Sequence, residues 1–534
     1  MRVPDRRPSL PPWPREAFPP HLDEARRRSA DRLLAGIGAD GALRDPCRSR
    51  VLESALCLRL LDYTGSPHPA RARLKSYLES HRDCAEPLDR LMTIAALSGS
   101  VQIGMGGTVL EGFLARAPRF TSARKKVMVD AILSLFGVAP QVPDPTAFST
   151  GGLHSWAVAQ VTSLKVIMDR ALGRPEQITA GEVDLLLSTQ NRSEVWEGNI
   201  LIHLSALNAL AGLPGMAETV ERGVRAVLNH QRADGGLPFI TDTDTWCTAT
   251  AGVALLAAGA PREYLHRLAG HLVRQQRENG GWAYTDVALQ TDVDDISVAV
   301  EFLHTLDPVR YQTTIDAALN HLRQIRGGMG GFPTYVREAP PEACMTAAAV
   351  NALGVDRERN AKIIGEGLGF IAAAQHPDGS FDPDWSASVF HTVFRAVLAT
   401  GQHDAPEPGI AELIRDRALG LVRRSQNPDG GWGWGPGHPS DAVSTSYALI
   451  ALCAQADVEP AARAAEFILG CQNGDGSISS VSDSIGPRPF IFTVPALADI
   501  FSTLALGHLS SRLAQASAES PESSELLLTP FALR

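Results

Sequence analysis

Three carboxylates stand in one short run, Thr291-Asp292-Val293-Asp294-Asp295-Ile296. The residues from Ile296 to Leu303 read as an apolar helix, so the acids fall at or just before its N-terminus. One carboxylate can cap that helix. The other two have no such duty. Crowded carboxylates share protons, because like charges a few ångströms apart ionise together only at high cost. A group kept protonated at neutral pH can act as a general acid. A capping loop, or a hard-cation site of oxygen ligands, is the plainer alternative.

Other chemistries find little support. Cys47, Cys57, Cys84, Cys247, Cys344, Cys453 and Cys471 are scattered, with no paired zinc-ligand spacing, and read as small apolar fillers. No Gly-x-Ser-x-Gly elbow supports a hydrolase triad. The Gly-Gly pairs do not follow strands, which removes the dinucleotide and P-loop readings.

The elements that must carry the acids are repetitive. A phrase recurs as Gln190-Asn-Arg-Ser-Glu-Val-Trp196, Gln231-Arg-Ala-Asp-Gly-Gly236 and Gln276-Arg-Glu-Asn-Gly-Gly-Trp282. It returns, degenerate, as Arg326-Gly-Gly-Met-Gly-Gly-Phe332, then as Gln375-His-Pro-Asp-Gly-Ser-Phe381, Gln426-Asn-Pro-Asp-Gly-Gly-Trp432 and Gln472-Asn-Gly-Asp-Gly-Ser477. Spacings run from 41 residues (190 to 231) to 51 (375 to 426), a period that signals stacked supersecondary units. Ala- and Leu-rich segments flank each phrase and favour helix. Met216 to Asn229 with Thr248 to Ala258, and Ile410 to Arg424 with Ser444 to Ala454, read as helix pairs. The fold class is all-α, and much of the content of 47 Gly and 36 Pro belongs to interhelical turns. Asp242, Asp244, Glu342, Asp384 and Asp441 precede the corresponding helices of other units and should ring the same end of the fold.

Composition sets the outer bounds. The 534 residues suit two or three domains. A formal charge of -10 argues against a general nucleic-acid surface. The Pro-rich N-terminus lacks a signal-peptide core, and Phe490 to Leu509 contains Pro495 and Asp499, so it reads as buried helix rather than membrane span. A cytoplasmic chain, monomer or homodimer, is expected.

The Gln-x-x-x-Gly-Gly-Trp phrases resemble the QW-type repeats of triterpene and class II terpene cyclases, and Asp292-Val293-Asp294-Asp295 resembles that family's Asp-x-Asp-Asp motif. Gly330-Gly-Phe-Pro-Thr-Tyr335 and Asp378-Gly-Ser-Phe-Asp-Pro-Asp-Trp385 are similar to the diterpene branch. The likeness covers about residues 25–515. Ile296 departs from it, standing where many diterpene relatives carry Thr. The resemblance implies two α/α-barrel domains: a β domain from 1–30 and 266–515, a γ domain inserted at 31–265, and a loose tail at 516–534. It implies protonation of a terminal alkene by Asp294, with Asp292 and Asp295 orienting that acid.

The implied substrate is geranylgeranyl diphosphate, cyclised to a copalyl-type diphosphate. Farnesyl diphosphate giving drimenyl diphosphate is the alternative. A carbocation needs aromatic faces, for which Trp385, Tyr284, Phe332, Trp434 and Phe490 are candidates. Trp282 and Trp432, in the repeat turns, read rather as packing residues. His391, Asn351, His438 and Tyr447 are candidates for the closing deprotonation. A diphosphate needs cations, for which Lys125, Lys126 and Lys165 are available, and magnesium, for which Glu182 and Asp184 are candidate ligands. His154-Ser-Trp156 and Trp196-Glu-Gly198 resemble family segments and read as structural. Two readings of other classes compete. A zinc prenyltransferase would need a Cys/His/Asp set, which is not evident in the sequence. A non-enzymatic helical-repeat binding protein would leave the three acids idle.

Overall fold

The computed structural model describes residues 13–65, 68–98, 107–115, 117–191, 193–402 and 409–518. Helices provide nearly all its regular structure. Ser49–Arg50 and Leu237–Pro238 form a two-residue antiparallel pair. Most of the expected tail after 516 lies outside the described residues, while 516–518 end the last helix. Among the described residues no helix is long and apolar enough to cross a membrane.

Six helices form a closed inner ring: Asp244–Ala257, Val293–Leu306, Ala343–Leu353, Phe390–Ala399, Ala442–Leu452 and Ala496–Ala518. Each packs on the next, and the last returns to the first. An outer helix backs each one. In the same order these are Arg262–Gln275, Gln312–Ile325, Arg357–Ala374, Ile410–Arg424, Glu459–Gly470 and, from the start of the chain, Leu22–Ala35. The result is an α/α toroid. Sequence explains the two layers. Ala442–Leu452 buries every residue, as an enclosed helix must. Arg262–Gln275 buries only Leu265, Leu268, Ala269, His271 and Leu272, one stripe facing inward.

The repeat phrases join the layers. Gln276 Nε2 donates to Gly280 O and to Thr314 O, both at 2.9 Å, so one amide ties its own turn to the next outer helix. Gln375, Gln426 and Gln472 do the same for Ile414 O, Pro460 O and Ala25 O. Trp282 and Trp432 are fully buried, and each indole donates to a carbonyl of the preceding helix, Leu272 O and Val422 O. Gly280 (φ 87°) sits so close to that next helix that a Cβ would lie 2.5 Å from Ala317 O. A side chain there meets both the left-handed backbone and a carbonyl.

The first half of the chain packs differently. Val51–Thr64, Ile200–Leu210, Ser155–Ala171, Ser122–Ser134 and Gly107–Leu114 contact one another in that order, and Pro87–Ser98 flanks Val51–Thr64. Ala217–Leu228 rests on Ile200–Leu210 and Val51–Thr64. It is not the partner of Asp244–Ala257, although the sequence suggested that pair. Asp244–Ala257 belongs to the toroid, so the ring begins at 244 and not at the expected 266. The repeats look alike in sequence, and only the contacts reveal where one set gives way to the next.

Candidate active site

The acids sit where the toroid meets the first half of the chain. Asp292 is the N-cap of Val293–Leu306, and its Oδ1 accepts from Asp295 N at 2.8 Å. Its own N–H donates to Trp282 O at 3.1 Å, so the buried tryptophan turn fixes the acid run. Asp295 is buried, and among the described residues its Oδ1 finds no hydrogen-bond partner. Burial, and then the charge of Asp292, pushes the Asp295 carboxyl well up. Burial also raises Asp292, though hydrogen bonds from Asp295 restrain the rise. The pair therefore retains a proton in a range where a free carboxylate has lost it.

Asp294 is the more open of the three, with 16% of its side chain exposed. Arg395 Nη1 donates to Asp294 Oδ1 at 2.5 Å and to Cys344 Sγ at 3.5 Å. Burial works against the guanidinium charge, but Asp294 outweighs it and holds Arg395 protonated. No sequence signal pointed to Arg395, which lies 101 positions from its partner.

All three acids line a cavity of about 630 Å³. Its aromatic wall centres on Trp156, whose ring centroid lies 5.1 Å from Tyr284 and 5.2 Å from Tyr335, and runs on to Trp385, 5.9 Å from Tyr335. Trp246, Tyr447 and Phe501 add further faces. Of the candidate aromatics, Tyr284 and Trp385 line this cavity. Phe332, Trp434 and Phe490 do not line the cavity. Phe332 is fully buried in its repeat turn. Trp434 lies tilted against His438, with ring centroids 6.5 Å apart. Phe490 packs edge-on to Phe113 at 4.8 Å. Lining aromatics instead come from segments read as structural, His154-Ser-Trp156 above all.

One wall is polar. His391 Nδ1 and Asp384 Oδ2 are 2.9 Å apart, and Thr392 Oγ1 donates to the same oxygen at 2.5 Å. Burial opposes the Asp384 charge, yet His391 and these hydrogen bonds prevail and lower it to about 2. Tyr447 OH donates to Asp483 Oδ2 at 3.0 Å. His391 and Tyr447 line the cavity; Asn351 lines a separate small pocket and His438 sits in an exposed turn.

Cys344, Asp384 and His391 converge closely enough to hold a metal ion. The donor set does not suit magnesium, which takes oxygens in octahedral geometry. Burial pushes the Cys344 thiol well up, and the Asp384 oxygens already accept from Ser386 N, Thr392 and His391. The expected magnesium ligands fit no better. Glu182 closes a capping box with Thr179 and pairs with Lys165 at 2.9 Å, and Asp184 is exposed. Neither lines the cavity. Lys165 is likewise spent on Asp169 (2.8 Å) and Glu182, so it is not the cation expected at a diphosphate.

Cations do gather in the cavity elsewhere. Arg124, Lys125 and Arg488 line it, whereas Lys126 is exposed outside the lining. Arg488 pairs with Glu342 and lies 4.2 Å from the Trp385 ring. Burial, followed by the charges of Arg488 and Arg124, lowers Lys125 to about 7. The same causes, burial first, lower His154 to about 3. A desolvated amine among guanidinium groups is arranged to receive an anion.

Comparisons with known proteins agree with this fold. Residues 336–511 match the squalene-hopene cyclase C-terminal domain, and residues 197–359 the prenyltransferase alpha-alpha toroid domain. A drimenyl diphosphate synthase of Streptantibioticus cattleyicolor is 38% identical over 506 residues, covering 90% of this chain and 94% of that protein. Another, from Streptomyces showdoensis, is 36% identical over 505 residues, covering 91% and 94%. Among solved structures, ent-copalyl diphosphate synthase from Streptomyces platensis superposes with a TM-score of 0.59 over 92% of this chain and 99% of that one. At 18% identity that is a likeness of fold. The chain belongs to the squalene-hopene cyclase and class II terpene cyclase superfamily, and it is an enzyme of the cyclase type.

Proposed function

We propose that the protein cyclises farnesyl diphosphate to a bicyclic drimenyl diphosphate and leaves the diphosphate attached. The observation that carries this reading is one cavity holding three carboxylates, an aromatic wall and a cationic cluster. The names of the two relatives that match over nine-tenths of the chain favour the C15 substrate over the C20 substrate that the repeat motifs first suggested. In this reading the helices of residues 51–210 make a second, γ-type barrel beside the toroid.

Asp294 gives its proton to the terminal alkene carbon. The remaining alkenes close two rings in turn, each new bond using one π pair. Trp156, Tyr284, Tyr335 and Trp385 offer π faces to the migrating positive charge, worth about 2 kcal/mol or more each where desolvated. Asp292 keeps the acid helix in place, and Arg395 neutralises the carboxylate that Asp294 becomes. His391, oriented by Asp384, takes the proton lost from the final cation. Lys125, Arg124 and Arg488 hold the diphosphate.

The test is to incubate purified protein with farnesyl and geranylgeranyl diphosphates in the presence of magnesium, then remove phosphate and identify the alcohols. Drimenol from the parent, and none from Asp294→Asn, is the expected result. Parent-rate cyclisation by Asp294→Asn would refute the mechanism, and conversion of the C20 substrate alone would refute the substrate.

A further inference from the structure

Three inner helices open on an acidic N-cap: Asp292 before Val293–Leu306, Glu342 before Ala343–Leu353 and Asp441 before Ala442–Leu452. The repeat holds the three backbones alike. Asp292 N donates to Trp282 O at 3.1 Å, Glu342 N to Phe332 O at 2.9 Å and Asp441 N to Trp432 O at 2.8 Å. Each accepting carbonyl belongs to the aromatic residue of the repeat turn just before the helix. The side chains then diverge. Asp292 Oδ1 accepts from Asp295 N at 2.8 Å and Asp441 Oδ1 from Ser444 N at 2.7 Å, so both aspartates cap their helices. Among the described residues Glu342 makes no such bond. Asp has the length that a cap requires, and Glu carries one methylene more.

Glu342 lines the large cavity instead, and both its oxygens are engaged there. Oε1 accepts from Thr334 Oγ1 at 2.6 Å, and Oε2 pairs with Arg488 Nη1. Thr334 Oγ1 accepts in turn from Trp385 Nε1 at 3.2 Å, and the Arg488 guanidinium lies 4.2 Å from the centre of that same Trp385 ring. Carboxylate, hydroxyl, indole and guanidinium thus close one loop of contacts. Thr334 also reaches the acids: its carbonyl accepts from Val293 N, the first residue of the acid helix, at 2.9 Å. The backbone that carries Arg488 is fixed separately. Ile485 N donates to Trp385 O at 3.0 Å, Gly486 N to Phe490 O at 2.7 Å and Arg50 Nη1 to Gly486 O at 2.6 Å. What remains to be fixed is the long side chain, and Glu342 holds its tip.

A free arginine side chain gives up rotamer freedom when it grips an anion, whereas one already held gives up little. We infer that Glu342 is a positioning residue for the diphosphate end of the substrate: freed from capping, it holds the Arg488 guanidinium over Trp385 and, through Thr334, in fixed relation to the acid helix. The extra methylene converts a capping position of the repeat into the holder of an anion-binding arginine. The two ends of the substrate are thereby referred to one residue, Thr334, with its hydroxyl serving the cationic end and its carbonyl the acid end.

This inference rests on the diphosphate reading above, and the experiment separates the two. Steady-state kinetics with farnesyl diphosphate, and calorimetric titration with inorganic diphosphate and magnesium, are measured for the parent, Glu342→Asp, Glu342→Gln, Arg488→Met and Glu342→Asp combined with Arg488→Met. Glu342→Asp gains the cap and loses its reach to Arg488. It is expected to raise KM and the Kd of diphosphate about 10-fold, the cost of one hydrogen bond to a charged group. Its kcat should stay within about threefold, because binding rather than the chemical step is affected. Glu342→Gln should behave alike, since an amide offers one acceptor oxygen to two donors, and it serves the test if Glu342→Asp fails to fold. The double variant should bind diphosphate no worse than Arg488→Met alone, because Glu342 acts through that arginine. Glu342 variants that lose only stability, with the parent's KM and diphosphate affinity, would overturn the inference, as would a double variant about 10-fold weaker than Arg488→Met. If Arg488→Met is weakened in those same assays, the proposed function survives that failure. If Arg488→Met binds diphosphate as the parent does, the diphosphate assignment itself fails.

Discussion

Trp156 Nε1 donates to Glu197 Oε2 at 3.1 Å, and that one oxygen also accepts from Leu289 N (2.7 Å) and Gln290 N (3.1 Å). Glu197 thus ties a cavity-lining indole of the first half of the chain to the loop two residues before Asp292. Its own backbone is left-handed (φ 54°), and its carbonyl accepts from Tyr284 OH at 2.6 Å. Strain of this kind persists where surrounding bonds over-determine it.

Glu197→Gln should keep the shape of the side chain but weaken three charge-assisted hydrogen bonds, costing about 1–3 kcal/mol. Both the aromatic wall and the acid loop then loosen. We expect kcat to fall about 10- to 100-fold, as when reacting groups are misplaced by about an ångström, with KM little changed. Trp156→Phe, which removes one of the three donors, should fall less. Product profiles and kinetics of the two variants check this order.

Lys125 offers a proton-linked test of the diphosphate site. Burial and its Arg neighbours lower it to about 7, so above that pH the free enzyme holds it largely as a neutral amine. A bound phosphate favours the charged form, so inorganic diphosphate binding at pH 8 should take up nearly one proton. Affinity should weaken as pH rises above about 7. Calorimetry in buffers of differing ionisation enthalpy measures the uptake, and Lys125→Met should abolish it.

Asp295 trades stability for position. Its folded-state carboxyl is raised well above the ordinary value, so the folded protein binds a proton there that the unfolded chain releases. Stability from this group is present at low pH and falls as pH rises from the unfolded value toward the folded one. Asp295→Asn should therefore raise the unfolding temperature more at pH 8 than at pH 5, while cyclisation drops. Thermal scans at the two pH values, beside activity assays, check both halves.

The repeat turns carry structure alone. Gly280→Ala forces a Cβ against Ala317 O at φ 87°, and should destabilise the toroid by about 1–3 kcal/mol. Gln276→Ala removes the amide that ties its own turn to the next outer helix and should cost about 1–2 kcal/mol. Each should lower the unfolding midpoint, with the folded fraction retaining its specific activity.

Some of the site was readable before any fold. That one of the three acids caps its helix followed from an acid run standing just before an apolar helical segment, while the run Arg124-Lys125-Lys126 offered basic residues without showing which of them lines the cavity. Lys165 and Glu182 looked equally suitable, but seventeen residues of separation in the chain (165 to 182) hid a salt bridge between them. Aromatic type alone could not sort Tyr284 from Phe332. Both follow a Gly-Gly turn, and a side chain facing the cavity differs from one facing a neighbour only by where the inner helix turns.

The sequence by itself determined the helical grammar, the turn chemistry and the three acids at one helix start. These are local consequences of spacing: Gly admits a left-handed turn, and apolar residues at helical intervals bury one face. Only the tertiary structure decided that Asp244–Ala257 closes the ring, that Arg395 grips Asp294 across 101 residues, and that Trp156 and Arg488 join the cavity. Those relationships depend on the closure of a ring. Its geometry brings the ends of distant helices to the same mouth, where burial and charge act through space rather than along the chain.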